Sequence, residues 1–493
     1  MSDELSVPVY SLGQPSRRTG LGGLSLKTTI VGGAGFLIFL LCQMAGMQKI
    51  GYFIVLPVTI ITALLVSANF AGRTLAQALE MNGQDMRRRS KGEHVYVAGP
   101  SSRVPGGRYR LPGSLARTEL LGGVDALNNE FGVIFDRPRR EATVLFDCQL
   151  SGQTAMTQDE RNDITANWGR WLAGLSLSGD VVSAVTVVNT RPGTGELVAK
   201  EVAATVKDDA PWIARQIQWE AARELSQGTP ELEAHIALTF KVTVSDAQDT
   251  SFLDLIGTRL PTLYEDLAWS GIQATPMDEA AVCARAHKFF NPASEADFEE
   301  LTVNGVDHGL EWEDVGPAWH QTDRNVYHHE GCASVTWEMG SAPRSTFEDT
   351  LLGGLIAAHP RIQRKRVALC YRPYEAGQGA SRVEAEHRDA MVAANSSKKI
   401  RSASAEMRLE HTEAARRAQA RGAQLGRYSL FVTATVSSDE DLERVRHDVQ
   451  QLGAQANVRL RTMTSQQDAG FVVSCGLGQI PWSKESTSSL AGQ

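Results

Sequence analysis

The sequence predicts an N-terminal two-helix transmembrane hairpin followed by an α+β body of two βαββαβ units, the second carrying a helical insertion. Three observations predict it. Two uncharged apolar stretches lie three residues apart, apolar residues alternate in several runs beyond residue 140, and helix-start signals fall between those runs.

The apolar stretches come first. Residues 29–46 read TIVGGAGFLIFLLCQMAG and residues 50–71 read IGYFIVLPVTIITALLVSANFA, neither with a charge. At 1.5 Å per residue they reach about 27 and about 33 Å as helices, against a hydrocarbon core of about 30 Å. Only Met47, Gln48 and Lys49 separate them, which forces a tight hairpin with both outer ends on one side of the bilayer. Arg17, Arg18 and Lys27 precede the pair, and Arg73 with Arg87, Arg88, Arg89 and Lys91 follows it. The positive-inside rule then places both termini and the main body in the cytoplasm, in a two-pass protein of the cell (inner) membrane. A second span so soon after the first argues against a cleaved signal peptide. Ala63, Ser67 and Ala71 form a small-residue stripe suited to close helix packing. Pro57 is placed to kink the second helix, and the 87–91 run to touch anionic lipid.

Charge follows the same division. The chain of 493 residues has a net charge of −8, but residues 1–91 hold nine basic and four acidic side chains. A basic head thus precedes an acidic body, and nothing in the balance calls for direct nucleic-acid binding. Six scattered cysteines without a C-x-x-C pair suggest neither a disulfide framework nor a zinc ribbon. Reduced thiols are expected.

Residues 98–113, with three prolines and four glycines, read as a linker. Beyond it, 143–150 (TVLFDCQL) is a strand. A capping box, Thr157 to Glu160, then starts a helix with Ile164, Trp168, Trp171, Leu172 and Leu175 on one stripe. Residues 181–190 form a strand, 211–225 an extra helix, 232–245 an alternating strand, 251–269 a helix and 272–276 a short strand. Without the extra helix the order is β-α-β-β-α-β, the ferredoxin-like arrangement. The order recurs: a strand at 332–340, a capping box from Ser345 to Glu348, and a strand at 366–374. An alternating strand follows at 428–436, then a capped helix after Ser437 and a last strand or pair at 458–462 and 470–475. One larger mixed sheet is the competing architecture. The insertion, 381–426, is rich in Ala, Arg and Glu and poor in apolar residues, so it forms exposed helices, either a solvated arm or a partner surface.

These boundaries give a cytoplasmic N-terminal segment (1–27), the hairpin (28–72), and a basic segment with linker (73–140). The first α+β subdomain (141–290), a connecting segment (291–331), the second subdomain (332–480) and a polar tail (481–493) complete the chain.

Catalytic signatures are missing. Gly22 to Thr28 lacks the Gly before Lys27 that a phosphate-cradling loop needs, and there is no G-x-S-x-G or H-E-x-x-H. The densest group of metal-ligand types is Asp307, His308, His320, His328, His329 and Cys332, whose spacing fits no standard zinc pattern, and adjacent His328 and His329 face opposite ways if extended. Glu299/Glu300 and Glu311/Glu313 read as solvated faces. Trp168, Trp171 and the seven-residue repeats Trp212/Trp219 and Trp312/Trp319 are assigned to core packing. No catalytic, cofactor-binding or metal residue is assigned, and no cofactor.

With Val7-Pro-Val-Tyr10, Gly23-Leu-Ser-Leu-Lys27 and the tight hairpin, the N-terminal region resembles the small two-helix, PrgI-like membrane subunit of conjugative type IV secretion systems. The remainder resembles the N-terminal, non-motor part of the secretion ATPase, through its α+β order, the 381–426 insertion and Gly476-Leu-Gly-Gln-Ile-Pro481. The resemblance implies an actinobacterial-type scaffold, not an enzyme, with three kinds of partner: the lipid bilayer, a secretion ATPase on a separate chain, and further copies of itself or other membrane subunits. A core subunit of a type VII-like secretion complex is one alternative. A membrane-tethered hydrolase or transferase using the histidine-rich 307–332 region is the other.

Overall fold

The computed structural model describes residues 26–480, apart from 68, 71–72, 100–110, 150–151, 153–155, 208, 227–228, 245–248, 342–347, 375, 397–402, 421 and 438–440. The motif at 7–10, most of that at 23–27, Ala71 of the small-residue stripe, most of the 98–113 linker, the capping-box residues 345–347 and 438–440, and the 481–493 tail lie outside the described residues. The chain divides into two compact units, a smaller N-terminal one and a body comprising Val95–Met339 and Ser345–Ile480.

In the smaller unit, α1 (Leu26–Met44) is followed by α2 (Gln48–Ile50), a π-helical turn (Gly51–Val55) and α3 (Leu56–Ser67). The short strands β1 (Asn69–Phe70) and β2 (Arg73–Thr74) lead to α4 (Leu75–Ser90). The π turn sits just before Pro57, whose ring has no N–H to give the preceding turn. Thr59 and Thr62 each return a hydroxyl hydrogen bond to a carbonyl four residues back, at 2.8 and 2.7 Å. A Cβ on Gly35 would strike Thr59, and the rings of Phe39 and Tyr52 meet edge-on at 5.2 Å. The basic run Arg87–Arg89 closes α4, where cations complement the carbonyl end of the helix.

The two-pass expectation is corrected here. Among the described residues one helix is long and apolar enough to cross a membrane, the continuous 18-residue stretch Gln48–Leu65. The other apolar helix, Ile30–Met44, is shorter; at 1.5 Å per residue it reaches about 22 Å, less than a hydrocarbon core of about 30 Å. The topology argument from basic residues needed two spans, and its conclusion of both termini and the body on the cytoplasmic side falls with them.

The body opens with β3 (Val95–Val97), β4 (Thr118–Val124), β5 (Glu130–Asp136) and β6 (Glu141–Gln149). Next come α5 (Gln158–Leu177), β7 (Val181–Pro192), α6 (Glu196–Thr205), α7 (Trp212–Ser226) and β8 (Pro230–Lys241). Then follow α8 (Phe252–Ala268), β9 (Gln273–Pro276), α9 (Glu279–Phe290), α10 (Glu295–Asn304), β10 (Trp319–Thr322), β11 (Tyr327–His329) and β12 (Cys332–Ser341). The remainder is α11 (Gly353–Ile356), β13 (Arg364–Pro373), α12 (Ala376–Ser396), α13 (Ala403–Ala420), β14 (Gly426–Val436), α14 (Leu442–Gln455), β15 (Arg459–Thr462) and α15 (Gln467–Ser474).

All these strands join one 13-stranded sheet in the order β3-β10-β11-β12-β14-β13-β7-β8-β6-β5-β4, with β15 on β12 and β9 on β6. The expected pair of ferredoxin-like subdomains is therefore corrected to a single large sheet. Strands β7 and β13 pair antiparallel from Thr190 opposite Lys365 to Ala184 opposite Tyr371, so no boundary separates two modules. Five strands that alternation did not reveal, β3, β4, β5, β10 and β11, extend the sheet at its two edges. The strand expected at 470–475 is instead part of α15.

Two apolar clusters occupy one face. Phe131, Val133, Phe146 and Phe240 pack with Trp171, Leu172 and Leu175 of α5 and Phe252, Ile256 and Leu260 of α8. Val335, Trp337, Val367 and Val432 pack with Val445, Val449 and Leu452 of α14. The Thr157–Glu160 capping box is formed at the start of α5, which orients its Trp171 stripe inward.

Candidate functional site

Alternation along β11 turns His329 inward and His328 outward. His329 is fully buried, with Nδ1 2.5 Å from the Phe290 carbonyl and Nε2 2.8 Å from Ser334 Oγ. A carbonyl only accepts, so Nδ1 holds the proton and Nε2 accepts from the serine. His320 Nδ1 is 3.0 Å from Tyr327 Oη, with its ring stacked on Tyr96. His328 lies 3.4 Å from Asp323, and His308 Nε2 is 3.0 Å from the Ala280 carbonyl. Asp307 accepts the Gly309 N–H, and burial raises the Cys332 thiol. Asp307, His308, His320, His328 and His329 thus each have a local partner. Among the described residues no group of three His, Cys, Asp or Glu is placed to hold a metal.

The sequence reading missed a buried polar row on the sheet face that α9 and α15 cover. Arg366 on β13 has its guanidinium 4.4 Å above the Phe289 ring of α9 and 4.7 Å from that of Phe471 of α15. Its Nε and Nη2 donate to Ser474 Oγ at 3.2 and 3.1 Å, and Thr433 donates to the same oxygen at 2.7 Å. His235 on β8 is fully buried and donates from Nε2 to the Cys475 carbonyl at 3.1 Å. Burial, reinforced by Arg285 and Arg366, lowers its pKa to about 3; burial likewise lowers that of His329 to about 3. Both imidazoles are neutral. The row fastens α15 to the sheet. Its sequence signal was the Lys365-Arg366 pair heading a run, VALCY, that is otherwise apolar.

A second network ties α9 and α10 to the sheet. Arg191 on β7 meets Glu231 at 2.7 Å, Glu233 at 2.9 Å and Glu299 at 2.6 Å, while Lys288 reaches Glu233 at 3.6 Å. Burial alone would raise the Glu233 carboxyl, but Arg285, Lys288 and Arg191 bring it down to about 2. Glu299, read from the sequence as part of a solvated pair, is buried here.

Two of the grooves among the described residues lie beside these elements. One, of about 430 Å³, lies between α9 and α10; of its charged lining residues, Lys288 and Glu299 belong to the network just described, while Asp278 caps α9 and Asp307 accepts the Gly309 N–H. The other, of about 440 Å³, lies between α5 and α8 over Trp171, Leu175 and Leu263. Trp269 stands 75% exposed at its rim, and the exposed Arg170 beside it has no partner among the described residues. On α7, Trp212, Ile213, Ile217 and Trp219 all face solvent, at 67, 54, 60 and 46% exposure. This corrects the assignment of Trp212 and Trp219 to packing. Ile213 and Ile217, one turn apart, and Trp212 and Trp219, two turns apart, share one broad helix surface.

Fold and sites together define an α/β protein on one large antiparallel sheet, its buried charges committed to structural networks and its aromatic residues partly left on the surface. A family model described as a domain of unknown function (DUF8461) matches residues 17–77, the stretch that contains α1 and α3. No curated protein matches the chain.

Proposed function

We propose that this chain is a non-catalytic scaffold subunit of a type IV secretion- or conjugation-like machine. Its body docks a separate ATPase, and the apolar helix Gln48–Leu65 ties it to a bilayer. The observation that carries the docking role is α7. A helix that leaves two tryptophans and two isoleucines in water is a surface awaiting a partner, because exposed apolar patches of this kind mark interaction sites. Aromatic anchors of this sort dominate binding energy in helix-in-groove contacts. The buried networks support the same reading, since their charged groups are committed to holding helices in place. The type of machine rests on the resemblance of the N-terminal motifs, the 381–426 insertion and Gly476-Leu-Gly-Gln-Ile-Pro481.

The test is co-purification of the full-length chain in mild detergent from the cells that make it. A P-loop ATPase or a secretion subunit is expected among the stoichiometric partners, and Ile217→Glu is expected to reduce its recovery about tenfold while the circular dichroism is unchanged. Recovery of neither partner, or recovery indifferent to Ile217→Glu and Trp212→Ala, overturns the proposal.

A further inference from the structure

The sheet ends at β4, and that edge is open. Strand β4 is seven residues long (TELLGGV), whereas the other strands with a single partner, β3, β9 and β15, have three, four and four. Natural edges are blunted by shortness, lysine, proline or a bulge. Strand β4 has none of these; its register with β5 is continuous from Thr118 opposite Asp136 to Val124 opposite Glu130.

The hairpin geometry shows which groups are free. Asp125 donates its N–H to the Asn129 carbonyl at 2.9 Å, closing the β4–β5 hairpin. Bonded rungs of an antiparallel pair recur every second residue, so Gly123, Leu121 and Glu119 turn their backbone groups to β5. Leu120 and Gly122 turn theirs outward, and among the described residues nothing receives them. Both faces of the strand are partly covered, with Val124 at its end still exposed. A Cβ on Gly122 would meet Glu279 of α9, and one on Gly123 would lie 2.7 Å from the Phe131 ring.

We propose that β4 pairs antiparallel with β4 of a second copy of this chain about a two-fold axis, joining the two sheets edge to edge. The charge pattern favours a second copy. The strand begins at exposed Arg117, which has no partner among the described residues, while Glu119 beyond it is neutralised by Arg137 at 2.7 Å; it ends at buried Asp125 with exposed Glu130 beside it. An edge that is electrically antisymmetric complements itself only when reversed. In the two-fold register centred on Leu121, each Leu120 forms a bonded rung with Gly122 of the other copy, so a bulky side chain faces one that is absent. Each Arg117 then meets the acidic end of its partner. This inference stands independently of the secretion reading.

The experiment is hydrogen exchange with mass measurement on the full-length chain over a concentration series. Protection of the Leu120 and Gly122 amides is expected to rise with concentration, together with a dimer mass. Leu120→Pro deletes one outward donor and leaves the rungs to β5 intact, and it is expected to abolish the dimer. Arg117→Glu sets acid against acid twice and tests the same contact without touching the backbone; its expected effect is about tenfold weaker dimerisation. A monomer at every concentration, a dimer indifferent to both variants, or these amides protected in a monomer or in a complex with another protein would each overturn the proposal.

Discussion

His235 and His329 are the residues whose chemistry the fold alters most plainly. Each is enclosed, hydrogen-bonded as a neutral imidazole, and held at about 3 by burial. In the unfolded chain both titrate near 6.5. A base with a depressed folded pKa takes up its proton first when unfolded, so the stability it supports is whole above about 6.5 and is lost as pH falls towards 3. Between about pH 6.5 and 5, where most carboxylates remain ionised, each histidine contributes a slope approaching about 1.4 kcal/mol per pH unit. His287, lowered in the same direction by burial, adds to it. Denaturant titrations at stepped pH are expected to show this fall. His235→Gln keeps the Nε2-like donor, His329→Asn the Nδ1-like one, and each should remove its own share; stability that stays level from 6.5 to 5 refutes the assignment. Alternation showed that His328 and His329 oppose each other. It could not show which face is interior, because that depends on Phe290 and Ser334, one 39 residues away and the other on the next strand.

At the scale of elements, the instructive case is α15. Its sequence GFVVSC is apolar, short and rich in β-formers, and a buried run of that length does not reveal by periodicity whether it is helix or strand. Tertiary bonds decide it. Gln467 at its start accepts the Thr336 N–H at 2.7 Å and donates to the Met463 carbonyl at 3.1 Å, while Ser474 at its end meets Arg366. By contrast α5 was legible, since a local capping box and an apolar stripe specify it without distant partners. So were the central strands β7, β8, β13 and β14, whose long alternating or β-branched runs carry their own signal. Helices α6, α9 and α10 were not, because their neighbours are fixed by the Arg191 network. The end of α15 yields a prediction. Gly476 has φ +66° and no room, as a Cβ would lie 2.7 Å from Val187 and 2.8 Å from His235. Gly305, which ends α10 at φ +65°, faces open space. Left-handed backbone costs an alanine about 1–2 kcal/mol, and overpacking adds about 1–3 kcal/mol. Gly476→Ala should therefore destabilise by about 2–5 kcal/mol and Gly305→Ala by only about 1–2 kcal/mol. Equal losses in thermal or denaturant melts would refute the crowding argument.

For the whole molecule, the decisive contact is β7 against β13. Each of the two apolar clusters has its own strands and helices, so the sequence contains enough information to suggest two modules. It contains nothing to show that two strands, each expected within its own unit, hydrogen-bond to one another. Both happen to be apolar on both faces, Val185 and Val187 opposite Ala184 on one, Ala368 and Cys370 opposite Val367 and Tyr371 on the other; continuous burial of that kind is a property of central strands, and it marks the join. A join through the middle of a sheet couples the halves strongly. Unfolding one half would bare the β7 or β13 edge of the other and break the seating of α15, whose Ser474 meets Arg366 of β13 and whose following Cys475 carbonyl accepts from His235 of β8. The body should accordingly unfold in one transition, with amides of β6 and of β12 losing protection at the same denaturant concentration in native-state exchange. Ala368→Pro, at the position of β13 that stands opposite Val187 on one side and Phe431 on the other, removes a ladder donor at a central strand and should weaken both halves together, by about 3 kcal/mol or more. Two separate transitions, or a proline whose effect stays on the side of β14, would mean that the halves are modules that merely lie edge to edge.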